Sequence, residues 1–268
     1  MSTATRVRRV TDSARTDAGR PDAGGLQVVS RAAQILRMLD AEHAEVRINE
    51  VAEELGIGRT SAHRYLQSLA AEGFLQRSGA DAGAYRLGPL LAGLGAAMLA
   101  SNRVVDLGRP LLQELADATG ETAVLGIWTG TSAVAMLCEE PRGKAVNMTV
   151  RIGAPLQVDS AQGVAFLANL RDERAVQRAL SRASDDQRMR VPALVEEARQ
   201  RGYATSGTVL PGVAAIAAPA FEGSGDIVAT IALVAASEVL AGPRLEELAA
   251  ELRATAARLS AQLGFAGA

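Results

Sequence analysis

Six polar side chains between Arg59 and Gln67 share one side of a predicted helix, and their chemistry suits the recognition of bases and phosphates. They are Arg59, Thr60, Ser61, His63, Arg64 and Gln67. Arginine and glutamine can form paired hydrogen bonds with guanine and adenine edges, whereas Thr60 and Ser61 in the first turn suit phosphate contacts. The other side carries apolar residues three and four apart, which a small domain would bury. They are Ala62, Tyr65, Leu66 and Leu69. An ordinary solvated helix can have the same layout, so the neighbouring elements must decide between the two interpretations.

Those neighbouring elements are predicted to form a winged helix-turn-helix. One helix is expected over Arg31–Asp40, with Ser30 as its N-cap. Its inward-facing residues would be Ala33, Leu36 and Leu39. A second helix is expected over Glu50–Leu55, with Asn49 as its N-cap, and a tight glycine connection leads into the third helix, Arg59–Glu72.

Two short extended runs follow, Phe74–Arg77 and Ala84–Leu87, and a loop rich in glycine and aspartate joins them. This pattern is typical of a β-hairpin. Three helices followed by a hairpin are typical of the winged helix-turn-helix. Arg77 and Arg86 flank the wing loop, where contact with a phosphate or the minor groove competes with a role as simple surface charge.

The overall composition allows DNA binding only through a local patch, because the formal net charge is −2. Residues 1–88 carry 12 arginines and 11 acidic residues, against 16 basic and 19 acidic residues in 89–268, a weak asymmetry in the expected direction. A length of 268 residues favours two domains. A single cysteine excludes a disulfide within the chain, and with only two histidines it disfavours a zinc site. We therefore expect no metal and no cofactor.

Two further segments flank the DNA-binding unit. Residues 1–24 are polar and mixed in charge, which predicts a disordered leader without a secretory signal. Pro89–Ser101 is apolar nearly all round, so something must bury it. We expect this helix to form a dimer interface, with packing inside its own chain as the alternative. No apolar run is long enough to span a bilayer, and we expect a cytoplasmic protein.

The pattern changes to mixed α and β from Val104 onward. A helix is expected over Val104–Thr119, ending at Gly120. Strands are expected at Thr122–Trp128, Ser132–Glu139, Val146–Arg151, Val213–Phe221 and Ile227–Ala235. Helices are expected at Ala161–Leu170, Asp172–Ser181, Pro192–Arg201 and Pro243–Leu263. This order, without strict β-α-β alternation, predicts an α+β domain on an antiparallel sheet that cups a small molecule.

Three stretches of this sequence resemble the IclR family of bacterial transcriptional regulators, over roughly Gln27 to Gly264. The first is GIGRTSAHRYLQSLAAEGFLQR (56–77) together with YRLGPLL (85–91). The others are RIGAPLQVDSAQGVAFLA (151–168) and GYATSGTVLPGVAAIAAP (202–219). The resemblance implies binding of a double-stranded DNA operator by a homodimer or a dimer of dimers. It divides the chain into a DNA-binding domain (25–88), a linker helix (89–103) and a GAF-like, effector-sensing domain (104–268).

The same resemblance implies an effector pocket around the start of the helix at Ala161. The expected lining is Trp128, Ala161, Gln162, Gly163, Ala217, Ala232 and Val234, with Thr208 on a covering loop. Several polar residues usual in the family are absent: Val164 replaces a lysine, Val158 a histidine and Thr208 a glutamate, while Ala232 and Val234 replace hydroxyl-bearing residues. The loop after Gly202 is also about one residue short. We therefore expect a largely apolar effector, neutral or singly charged.

Other residues of this domain have simpler roles open to them. Trp128 suits a core position as well as a pocket wall. Asp159 and Ser160 precede a helix and suit N-capping. Cys138 is expected to be buried and inert, with a redox-sensing thiol as the alternative.

Three functions are compatible with these features. A ligand-responsive transcription factor is favoured, with repression favoured over activation. A constitutive DNA-binding regulator with a ligand-free sensor domain is the first alternative. An enzyme built on the C-terminal domain is the second, although that domain contains no histidine and no obvious pair of nucleophile and base.

Overall fold

The computed structural model describes residues 26–40, 43–79, 83–144 and 147–267; at 26 and at 207–210 it describes the backbone alone. The predicted disordered leader, residues 1–24, lies outside the described residues.

The first part of the chain forms the expected winged helix-turn-helix. Its elements are α1 (Leu26–Arg37), β1 (Val46–Arg47), α2 (Ile48–Glu54), α3 (Arg59–Ala71), β2 (Leu75–Arg77) and β3 (Ala84–Leu87). The strands pair antiparallel in the order β1-β3-β2. The apolar residues of α3 enter the core as expected, since Ala62, Leu66 and Leu69 are buried and Tyr65 is half-buried.

Both N-cap predictions in this region were wrong. Ser30 lies inside α1, which begins earlier than expected. Asn49 lies inside α2, because the chain passes directly from β1 into the helix and Arg47 becomes the N-cap. The Arg47 backbone N–H donates to Glu50 Oε2 at 2.8 Å, which satisfies a donor at this helix start.

The buried side of α1 also differs in part from the prediction. Ile35 is fully buried and Leu39 is 8% exposed, whereas Ala33 and Leu36 are only half-buried. Because α1 ends at Arg37, Leu39 reaches the core from the turn after the helix. Complete burial of a side chain such as Ile35 contributes about 1.5–3 kcal/mol to folding.

A bent pair of helices connects the two halves of the chain. It consists of α4 (Pro89–Ala100) and α5 (Arg103–Thr119). Gly120, with φ of 73°, ends α5 as expected. Within the described residues, no single helix is long and apolar enough to cross a bilayer; α4 and α5 meet that criterion only when counted together, and the chain bends by 67° between them.

The remaining elements build the expected antiparallel α+β domain. The strands are β4 (Thr122–Trp128), β5 (Ala133–Glu139), β6 (Pro155–Leu156), β7 (Ala204–Leu210), β8 (Val213–Phe221) and β9 (Ile227–Ala236). The helices are α6 (Ala161–Asn169), α7 (Glu173–Leu180), α8 (Asp185–Arg201) and α9 (Gly242–Gln262). The sheet order is β6-β5-β4-β9-β8-β7, and each neighbouring pair is antiparallel.

Alternating side chains place a different helix layer on each face of this sheet. Leu125, Ile216 and Leu233 point to the face covered by α5 and α9. Their chain neighbours Val124, Ala217 and Ala232 point to the other face, which α6 and α8 cover. We call this second face, beneath α6, the concave face.

The predictions for this domain require three corrections. The expected strand Val146–Arg151 is absent from its described part, 147–151, because its polar groups bond elsewhere: the Met148 carbonyl accepts from Thr122 Oγ1 at 2.5 Å, and Thr149 Oγ1 donates to Glu140. Helix α8 begins at Asp185, seven residues before the predicted start at Pro192, because Ser184 and Gln187 form a capping box. Strands β6 and β7 were not predicted.

Candidate nucleic-acid interface and ligand site

The predicted contact side of α3 is exposed on a helix that begins after a tight turn. Gly56 has φ of 59°, and the Ile57 N–H donates to the Ala52 carbonyl at 3.0 Å, which brings α3 directly after α2. His63 is half-buried, whereas the other predicted contact residues are exposed; these are Arg59, Thr60, Ser61, Arg64 and Gln67. The side chains that can reach a partner therefore lie in the first two and a half turns of the helix.

The electrostatics of α3 favour an anionic partner. The helix contains no acidic residue. Within the part of the chain that the structure describes, Arg59 and Arg64 have neither an ion pair nor a side-chain hydrogen bond. The positive end of the helix dipole lies at the same end as Arg59, Thr60 and Ser61. Phosphates and base acceptors would therefore meet donors that no protein group uses.

The two wing arginines lie on opposite faces of the hairpin. Arg77 pairs in register with Tyr85, and its guanidinium lies 5.9 Å from the centre of that ring. Arg86 pairs with Gln76 on the outer face, where both side chains are exposed. Arg86 is therefore the wing arginine more open to a partner, while Arg77 is partly held by the ring.

A cleft between α1 and α3 contains an arginine that the sequence patterns did not single out. The cleft has a volume of 350 Å³. It is lined by Val28, Arg31, Ser61, Arg64, Tyr65 and Ser68. Arg31 and Arg64 line it together with hydroxyl groups and no acid, so a phosphate oxygen fits its chemistry. No periodicity marks Arg31, since its position depends on how α1 packs beside α3.

The linker helix α4 presents its apolar residues to solvent. None of its residues is buried. Its large exposed side chains are Leu90, Leu94, Met98 and Leu99, and Leu87 lies next to them in the chain. Exposed fractions of 54% for Leu94 and 49% for Met98 leave a contiguous apolar surface of the kind that marks interaction sites.

The concave face brings together four of the residues predicted to line the effector site. Ala217 pairs with Ala232, and Val234 lies one row away, paired with Ala215. Ala161 in the first turn of α6 packs against the same cluster, together with Val164. Ala161, Val164, Ala217 and Ala232 are each at most 1% exposed, so α6 lies directly on the sheet here.

Gln162 and Gly163 are held by protein contacts at the start of α6. Gln162 Nε2 donates to the carbonyls of Val124 and Thr230 at 3.3 and 3.4 Å. Its side chain crosses Gly126, where a Cβ atom would lie only 2.7 Å from Nε2. A Cβ atom on Gly163 would lie 2.3 Å from the Gln157 carbonyl oxygen. Both residues therefore have structural roles, which their sequence positions alone did not distinguish from ligand contacts.

Trp128 and Thr208 lie apart from that group. Trp128 packs against Phe166, with 5.5 Å between the ring centres, in a cluster that also includes Leu156 and Leu170. Its indole Nε1 is buried with no partner in the described part of the chain. The backbone of Thr208 belongs to β7, so the predicted covering loop is a strand; its side chain is not described. The sequence thus grouped residues that the fold separates.

Val158 and Cys138 have simple packing roles at the edges of this region. Val158 is 8% exposed and lies in the core cluster of α7 and α8. Cys138 is half-buried beside the concave face, not fully buried as expected. Burial raises the pKa of the Cys138 thiol, and the carboxylates of Glu140 and Glu139 raise it further against a backbone hydrogen bond that lowers it. The thiol is therefore not activated as a nucleophile.

Comparisons with known proteins identify both halves of the chain. A family model described as the IclR helix-turn-helix domain matches residues 28–79, and one described as bacterial transcriptional regulator IclR C-terminal matches residues 96–261. The HTH-type transcriptional regulator BhcR of Paracoccus denitrificans is 31% identical over 255 residues, 90% of this chain and 89% of BhcR.

Two solved structures have the same arrangement of elements. An IclR transcriptional regulator from Silicibacter sp. TM1040 matches with a TM-score of 0.79 at 23% identity, covering 90% of this chain and 98% of its own. An IclR transcriptional regulator from Alicyclobacillus acidocaldarius matches with a TM-score of 0.68 at 29% identity, covering 89% and 99%.

Proposed function

Because the chain belongs to the IclR family of bacterial transcriptional regulators, we propose that it is a ligand-responsive regulator of transcription, with repression favoured over activation. It would act in the cytoplasm on a double-stranded DNA operator. The observation that carries this proposal is the exposed side of α3, whose arginines have no protein partner among the described residues. The relatives above are described as transcriptional regulators, and no catalytic activity is proposed.

The proposed DNA contacts divide into two classes. Arg64 and Gln67, near the middle of α3, would read base edges, with Arg59 and His63 beside them. Thr60 and Ser61 in the first turn, Arg86 on the wing and Arg77 beside it would hold phosphates. We add Arg31 to the phosphate class, because it lines one cleft with Arg64 and Ser61.

A selection from randomised duplex DNA with the full-length protein tests this function. A dimer with two-fold symmetry should enrich an inverted repeat, with half-site centres about 10 base pairs or a multiple apart. Affinity should fall as salt increases, because bound phosphates release counterions. Failure to enrich any sequence, together with no salt-dependent binding to duplex DNA, would contradict the proposed function.

The proposed assembly is a homodimer or a dimer of dimers, with α4 as the interface. The apolar side chains of α4 favour burial against a second copy, which would also supply the symmetry of an inverted-repeat operator.

The proposed effector site is the concave face at the start of α6. Ala161, Ala217, Ala232 and Val234 offer an apolar wall, and burial of apolar ligand surface contributes roughly 25 cal/mol per Å². Backbone N–H groups near Ala161 could bind one ligand oxygen, as could the side-chain oxygen of Gln162 and the hydroxyl of Thr208. Gly163 allows the start of α6 to lie against the Gln157 carbonyl, and Trp128 packs with Phe166 outside this wall. A dianion would lose its hydration here without a cation in return, which costs several kcal/mol.

Calorimetry with one compound of each class tests the effector proposal. An aromatic monoacid or a lactone should bind and change DNA affinity, whereas succinate and glyoxylate should not. Tight binding of succinate, with no response to the apolar compounds, would overturn it.

One observation favours the second candidate, a constitutive regulator with a ligand-free sensor. The close packing of α6 on the sheet, with Val164 and Ala217 fully buried, leaves little room without movement of the helix. A thermal-shift screen of aromatic and aliphatic metabolites separates the candidates. No stabilisation by any compound, combined with unchanged operator binding, would favour the constitutive regulator.

A further inference from the structure

A cavity of 460 Å³ lies beside the concave face, between α8 and β7. Helix α8 supplies Met189, Arg190, Ala193 and Leu194, and β7 supplies Thr205 and Ser206. None of these residues belongs to the group predicted to bind the effector. The register between β7 and β8 shifts after Ser206, so the strand departs from regular pairing at the wall of the cavity.

Arg190 is held in place at one end of this cavity by a buried acid. Asp159 is 3% exposed, and its Oδ2 accepts a hydrogen bond from Arg190 Nη2 at 2.9 Å. Its Oδ1 accepts from Gln187 Nε2 at 2.8 Å. Gln187 is itself fixed, because it forms the capping box of α8 with Ser184. The guanidinium therefore has a defined position before any ligand arrives.

Most of the donors on that guanidinium are still available. An arginine side chain carries five N–H donors, and within the described residues Arg190 uses one side-chain hydrogen bond, to Asp159. The side chain is 49% exposed. A carboxylate can accept two parallel hydrogen bonds from the free edge of such a group.

The rest of the lining limits the charge and shape of the ligand. Glu197 lines the cavity two turns further along α8, whereas its partner Arg201, at 2.9 Å, is not part of the lining. A second anionic group at that end would therefore meet the Glu197 carboxylate first. Met189 is 73% exposed and, with Ala193 and Leu194, offers an adaptable apolar surface. The hydroxyls of Thr205 and Ser206 have no partner among the described residues and could bind one ligand oxygen.

We propose that this cavity binds an amphipathic monocarboxylate. The carboxylate accepts hydrogen bonds from Arg190, and the apolar part lies over Met189, Ala193 and Leu194. Asp159 positions Arg190 for this contact, and the same pair joins α8 to the segment before α6. The site is separate from the proposed effector contacts on the concave face, and its binding can be measured without DNA.

The test uses three probes of similar length with the full-length protein: hexanoate, hexanamide and adipate. NMR titration should give a dissociation constant for hexanoate about tenfold or more below those for hexanamide and adipate. Hexanamide loses the charge-assisted contact with Arg190, and the second carboxylate of adipate is opposed by Glu197. Absence of hexanoate binding, or equal binding of hexanamide, would overturn the proposal.

Two variants assign the binding to this cavity. Arg190→Gln removes the guanidinium. Ala193→Phe fills the cavity and leaves the ion pair between Asp159 and Arg190 unchanged, so this second variant remains informative if loss of Arg190 destabilises the fold. Each should weaken hexanoate binding at least about tenfold, while Arg182→Gln, at an exposed position before α8, should not. Unchanged hexanoate binding in folded Ala193→Phe would mean that the probe binds elsewhere. DNA binding measured on the same samples is a separate readout, so a failure of the proposed function would be recognised independently.

Discussion

The contact side of α3 and the concave face beneath α6 differ in how they are assembled. The proposed DNA contacts of α3 come from positions 59–67 of one helix and lie in solvent. The concave face takes Ala161 from a helix and Ala217 and Ala232 from two paired strands, and buries all three. The first surface exists once a single helix forms, whereas the second requires the register of the sheet. We therefore expect substitutions on the contact side of α3 to leave stability unchanged, and substitutions in the concave face to reduce it.

The largest expected effect concerns α4, which is exposed like α3 but apolar like the concave face. Leu94→Glu should convert dimers to monomers in analytical ultracentrifugation, because a charge would be buried in the interface. Operator affinity should fall by about 100-fold or more, since the two half-sites would no longer be linked. Ser101→Glu, an equal charge change at an exposed position after α4, is the matched control. Intact dimers of Leu94→Glu would show that α4 does not form the dimer interface.

The next largest effect is a loss of stability when the tight packing at the concave face is disturbed. Gly163→Ala places a Cβ atom 2.3 Å from the Gln157 carbonyl oxygen, so backbone must move. We expect a loss of about 1–3 kcal/mol in the free energy of unfolding. Urea unfolding followed by far-UV circular dichroism reports on both domains, and the fluorescence of Trp128, the only tryptophan, identifies the transition of the domain that contains Gly163. Gly79→Ala, where no described atom beyond the chain neighbours lies within 4 Å of the new Cβ, is the control. Equal stability of the two variants would contradict the tight packing described here.

On α3 the expected pattern is the reverse, a loss of binding without a loss of stability. Arg64→Ala should weaken operator binding by about 1–3 kcal/mol and relax its sequence preference, if Arg64 reads a base edge. Its melting temperature should stay unchanged, because the side chain is exposed and has no partner among the described residues. Anisotropy titrations with operator and with unrelated DNA measure both quantities, with Arg182→Ala as control. Full retention of affinity and preference would remove Arg64 from the contact set.

The smallest effects are expected from the arginines that would hold phosphates. Arg31→Ala and Arg86→Ala should weaken binding to all sequences alike, and each should reduce the slope of log affinity against log salt by about 0.9. Arg77→Ala should do the same and also lose a contact with the Tyr85 ring, worth about 0.5–1 kcal/mol at an exposed site. An unchanged salt slope for Arg31→Ala would show that the cleft between α1 and α3 does not meet the DNA backbone.

The elements that were predicted well are those whose own periodicity determines them. The predicted α3 ends one residue later than the observed helix, and the predicted bounds of β4 and β8 equal the observed ones. In each of these runs the spacing of apolar residues agrees with the burial in the structure. Strand β7 was missed because its run, ATSGTVL, contains glycine and polar residues and lies at the sheet edge. The early start of α8 was missed because Pro192 resembled a first-turn proline, whereas the capping box lies further upstream.

The sequence by itself determined the helices and the longer central strands, the polar side of α3 and the family, because these depend on residues close together in the chain or on motifs in a fixed order. Tertiary structure alone decided that Trp128 is separated from Ala217 and Ala232, and that Asp159 meets Arg190 beside β7. Such contacts join residues far apart in the chain, and their geometry depends on strand register and on how a helix rests on a sheet. No local pattern carries that information, since a helix of the same composition can pack at several positions along the same face.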